Sequence, residues 1–161
     1  KEIWAYIIRY LNPPLDRRAF YIKEWLKGSS FLGMVTEGAM SMFPIEEIWK
    51  WVDADVEIRS WHSASFVPKS LFRVEGKVCL AREVLVRYGE REDVRNSLTA
   101  NFWSEGWTGP ASLHYQNKKK YFLDLRNGEN DKNVLRWLDE FIESLDQEIE
   151  RSKAEEERRG F

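Results

Sequence analysis

The sequence predicts an all-α fold built of stacked antiparallel helix pairs, an α-solenoid. Three observations carry that expectation. Apolar residues recur at three- and four-residue spacing through most of the chain. No stretch alternates apolar and polar residues long enough to suggest a sheet. A helix–turn–helix joint returns about every 40 residues, the length of one two-helix solenoid unit. Residues 1–150 are expected to form a single helical-repeat domain, and 151–161 a charged C-terminal tail.

In chain order, Glu2 to Leu11 reads as a helix with the stripe Ile3, Trp4, Ile7, Ile8 and Leu11. Asn12-Pro13-Pro14 stops it. A second helix starts at Asp16 and buries Ala19, Phe20, Ile22, Trp25 and Leu26, until Gly28-Ser29-Ser30 breaks it. A third carries Phe31, Leu32, Met34, Val35 and Met42. Pro44 suits the first turn of a fourth, with Ile45, Ile48, Trp49 and Val52 on its buried face. Val56 to Phe66 is its partner, ending at Val67-Pro68. Ser70 to Gly76 is a short helix or a connector, with Leu71 to Val74 the one rival strand.

Val78 to Tyr88 and Glu92 to Trp103 form the central pair. Gly89 suits the left-handed closing position between them. Ser112 or Thr108 is placed to cap the next helix, which carries Tyr121, Phe122 and Leu125. The last helix runs from about Asn133 past Arg151, capped by Asn130 or Asp131. Its stripe is Val134, Trp137, Leu138, Phe141, Ile142, Leu145 and Ile149. Beyond Ile149 the stripe fades, so the end is expected to project into solvent, with a coiled-coil stub as the alternative.

The joints share a grammar. An apolar helix end leads into an acidic turn, then a buried Val and an Arg. Trp49 to Arg59, Tyr88 to Arg95 and Phe122 to Trp137 all show it, with the valines at 56, 94 and 134; Trp25 to Phe31 is a weaker copy. Asp93-Val94-Arg95 resembles the turn of the HEAT-repeat family most closely. The resemblance covers about Pro44 to Leu145. It implies that Asp93 and Arg95 join a ladder between neighbouring turns, that Asp55 and Asp131 take the Asp role, and that the Val packs inside. The C-terminal part is similar to tails of large bacterial proteins, some in phage defence, that join a helical-repeat end to an upstream effector or nucleotide-binding module. That similarity implies a sensing or partner-binding tail.

Composition narrows the classes. The 161 residues suffice for one domain with a core, and a net charge of −2 gives no global pull toward nucleic acid or membrane. One cysteine, Cys79, excludes an intrachain disulfide and a multi-cysteine zinc site; it reads as a small buried residue in a reduced, cytoplasmic compartment. No apolar run approaches a membrane span. The chain opens at Lys1 inside an apolar stripe, which reads as a fragment of a longer protein, whereas Glu155 to Phe161 reads as a natural end.

No phosphate loop, nucleophile elbow or metalloprotease motif is present, and no catalytic, metal or cofactor site is expected. His62 and His114 stand apart, and the pairs Glu46/Glu47 and Asp53/Asp55 sit where helix electrostatics favour acids. The least repeat-like stretch is Phe102 to Tyr115. Trp103, Trp107, His114, Tyr115, Lys118, Lys119 and Lys120 are therefore the candidate partner-binding residues. Aromatics beside cations suit a protein hot spot, and equally single-stranded nucleic acid. The expected partner is a protein, or the upstream domains of the same polypeptide. Eight tryptophans serve either that purpose or the filling of wide gaps between helices.

Overall fold

The computed structural model describes residues 45–67 and 79–160. Among the described residues there are six helices and no strand: α1 Ile45–Asp53, α2 Val56–Phe66, α3 Leu80–Tyr88, α4 Glu92–Trp103, α5 Ala111–Asn127 and α6 Lys132–Arg159. The all-helical expectation holds for these residues. The helices expected before Pro44, the weaker joint near Gly28 and the Ser70–Gly76 connector lie outside them, as does the rival strand at Leu71–Val74.

The helix spans follow from the sequence with small changes. α2 and α4 have the expected ends. α3 begins two residues late, because Cys79 is extended and occupies the N-cap position, where it is only partly buried. Gly89 is not left-handed: its φ is −68°. A glycine is needed there for another reason. A Cβ on Gly89 would lie 2.4 Å from the Leu85 carbonyl oxygen and 2.9 Å from the Asn133 Cβ, so the Asn133 side chain of α6 packs directly on the joint.

Ion and hydrogen-bond pairs set the directions. Ser112, Lys119 and Arg126 of α5 meet Glu156, Asp146 and Asp139 of α6, so the two helices run antiparallel over their full contact. Glu57 meets Arg91, and the Ala64 carbonyl meets Asn101, so α2 and α4 run in the same direction. α1 touches α3 through Trp49 and Tyr88, whose hydroxyl donates to Asp53 at 2.6 Å.

The core is continuous from Trp49 to Ile149. The stripes at Val84, Leu85 and Tyr88, at Val94 and Leu98, and along α6 are all buried. Its centre is aromatic. Trp137 and Phe141 stack at 5.2 Å, and Phe102 and Phe122 meet both edge-on at 4.7–6.2 Å. Each such pair adds about 0.5–1.5 kcal/mol beyond the area it buries. The Trp137 indole N–H is not left unpaired; it donates to Thr99 Oγ1 at 3.0 Å.

The end of α6 departs from expectation. It does not become free tail after Ile149, but continues as helix to Arg159, with Ser152 buried and Glu156 bonded to α5. Small and polar groups hold it there, which a search for apolar periodicity passes over.

Candidate functional site

α4 ends at Trp103, and the chain crosses to α5 through residues 104–110. Gly109, at φ +91°, takes a turn that a side chain would strain, and Pro110 sets the extended residue before α5. This crossing brings the predicted aromatic residues together. Trp107 stacks on His114 with ring centres 4.9 Å apart and planes 12° apart, and leans on Tyr115 at 5.4 Å. Tyr115 meets Trp103 edge-on at 5.5 Å, and Trp103 reaches Phe141 at 5.4 Å.

The cluster divides by depth. Trp103 and Tyr115 belong to the core margin, and burial raises the Tyr115 hydroxyl above its ordinary range, helped by Glu148 and opposed by Arg151. Trp107 lies outside, 43% exposed but held on one ring face by His114.

The three lysines do not form a patch. The Lys118 side chain is 7% exposed; its Nζ donates to the Phe102 carbonyl at 2.5 Å and to Glu105 at 2.9 Å. It also lies 5.7 Å from the Trp103 ring centre and 5.8 Å from that of Phe141. It therefore closes the C-terminal end of α4 and fills a cation–π position from within the chain. Lys119 pairs with Asp146 at 2.5 Å. Of the three, Lys120 alone is exposed. Three consecutive helical residues spread over about 200°, which sends them to three surroundings.

The predicted turn residues have distinct roles. Asp131 caps α6, accepting from the Asn133 and Val134 N–H groups at 2.9 and 3.1 Å. Asp93 accepts from the Val94 N–H and from Arg91, which lowers its carboxyl below the usual range. Asp55 occupies the N-cap position of α2 without a side-chain bond there, 3.9 Å from Arg59. Arg95 does not reach a neighbouring turn's Asp. It donates to the Gly89 and Glu90 carbonyls and to Glu140 of α6. The bridges between turns are made by Arg91, between Glu57 and Asp93, and by Lys132, which donates to Glu90 at 2.8 Å.

Sequence reading missed Glu129, Arg82, Asn101 and Glu156. Arg82 donates to both oxygens of Glu129 at 2.8 and 2.9 Å, and the Asn130 and Asp131 N–H groups donate to the same carboxylate. The Arg82 bonds, with these N–H groups, outweigh burial and pull Glu129 down to about 2. Glu156 accepts from the Ser112 N–H at 3.0 Å and from its hydroxyl at 2.6 Å, which lowers its carboxyl. Thus the cap of α5 is not Thr108 or Ser112 itself but a carboxylate from α6. Nothing local marks the Arg82–Glu129, Asn101 and Glu156 contacts, whose partners are 34 to 47 positions away.

Among the described residues no three His, Cys, Asp or Glu side chains gather where a metal ion would sit, and no helix is long and apolar enough to cross a membrane. The side chain of His62 lies outside the described set. No family model, known protein or solved structure matches the chain.

Proposed function

We propose that this chain is a non-catalytic, HEAT-like helical-repeat module that binds a protein partner, or upstream domains of its own polypeptide, through the crossing that leads into α5. The observation that carries the reading is Trp107. A large ring, exposed on one side and immobilised on the other by His114 and Tyr115, loses little freedom when a partner covers it. The solenoid part of the reading is supported by the like direction of α2 and α4 and by the α1–α3 contact, which relate one pair to the next by stacking. In the same reading the module is a sensing tail of a larger bacterial protein.

Nucleic-acid binding through the aromatic and lysine residues 103–120 is the second reading. It loses most of its electrostatic footing, because Lys118 and Lys119 are paired inside the chain.

Photocrosslinking from position 107 in the cell, followed by affinity measurement on the captured protein, tests the proposal. Trp107→Ala is expected to weaken binding by about 2 kcal/mol, roughly thirtyfold. A captured partner whose affinity is unchanged by Trp107→Ala removes Trp107 as the anchor. Capture of nucleic acid, with affinity falling steeply in salt, moves the function to the second reading.

A further inference from the structure

Four large apolar side chains are exposed among the described residues: Trp107, Leu113, Tyr121 and Leu123. Three of them lie on α5. The outward line of that helix is Leu113, Asn117, Lys120, Asp124 and Asn127, all exposed. Their spacing of four, three, four and three keeps one seam facing one neighbour along the helix.

The seam is complementary to its own reverse. Turned about a two-fold axis beside Phe122, Lys120 meets Asp124 of a second copy and Asp124 meets its Lys120. Asn117 then meets Asn127, while on the two flanks Leu123 falls beside Leu123 of the copy and Tyr121 beside its Tyr121. A two-fold contact requires this kind of reciprocity. The neighbouring outward ridge, on α6, lacks it. Glu140, Glu143, Asp146 and Glu150 are exposed there, all acidic, and three of them are already paired with Arg95, Lys119 and Lys153 of the same chain.

We infer that the outer face of α5 pairs with the same face of a second copy of this chain, antiparallel, with Lys120–Asp124 pairs across the axis. The contact is independent of the Trp107 anchor, which lies on the flank of α5 that carries His114. Its size sets its strength. α5 has 17 residues and is about 25 Å long, so one face supplies roughly half of the ~800 Å² per partner of a standard interface. The pair is a weak, concentration-dependent dimer.

Sedimentation velocity of the 161-residue chain across about a hundredfold range of concentration reads the mass directly. Wild type is expected to move from one chain toward two as concentration rises. Lys120→Glu and Asp124→Lys, each at an exposed helix position, are expected to stay monomeric where wild type pairs. Mixed in equal amounts, those two variants restore opposite charges at both contacts and are expected to pair again. The inference is overturned if wild type stays monomeric throughout, if either variant pairs as well as wild type, or if the mixture pairs no better than its components. Helical circular dichroism of each variant separates loss of pairing from loss of fold.

Discussion

Glu129 is the most strongly perturbed carboxylate described, and its stability contribution has a definite sign. Its folded value, about 2, lies below the ordinary 4.5, so the contribution is complete above that ordinary value and is lost as pH falls toward 2. Glu129→Gln is therefore expected to destabilise by a constant amount near neutral pH, with the difference from wild type shrinking below about pH 4.5. Urea melts of both proteins across that range check it; a difference independent of pH would mean that the carboxylate charge is not what Arg82 holds. Gly89 gives a second test. Gly89→Ala places a methyl group 2.9 Å from the Asn133 Cβ and is expected to cost about 1–3 kcal/mol, although alanine is the better helix former. The two candidate tryptophans separate as well. Trp107→Phe is expected to lower the iodide-quenchable fluorescence by the share that Trp107 contributes, while Trp103→Phe leaves that fluorescence nearly unchanged, since Trp103 packs against Tyr115 and Phe141.

Helix ends, more than helix faces, distinguish the elements. The faces were legible in the sequence: Val94, Leu98 and the α6 stripe from Val134 to Ile149 are buried at the spacing a helix demands. The Asp131 cap was legible too, because its bonds reach only two and three residues ahead. The distant groups that close the other ends were not. Asn101 donates to the Ala64 and Val67 carbonyls at the end of α2, Lys118 to the end of α4, and Glu156 accepts from the start of α5. A polar residue on a helix shows no sign in sequence of which distant backbone group it will meet. Asp131→Ala is expected to cost about 1 kcal/mol in a denaturant melt. Glu156→Gln should instead act locally. Hydrogen exchange is expected to quicken at Ser112 and along 150–159 while the α6 core from Val134 to Leu145 keeps its protection. Equal acceleration along all of α6 would show that the Glu156 contact is not a separate latch.

Across the molecule, the expectation of a binding surface came from the unusual stretch 102–120, and the structure divides that stretch into three parts. Trp103, Tyr115 and Lys118 join α4 to α5, Trp107 and His114 form the raised ring, and Lys120 opens the outer seam. Composition named these residues but not their directions, which depend on where α6 passes. The capping pattern also has an order in time. Asn101, Arg95, Lys118 and Glu156 each lie downstream of the helix end they close. A ribosome releases the chain from its N-terminus, so each of these ends stays open until a later part emerges. For α5 the wait spans the 44 residues from Ser112 to Glu156, roughly 2–9 s at 5–20 residues per second. Through that interval the first turn of α5, with Trp107 just ahead of it, is presented to the cell with its N–H groups uncapped.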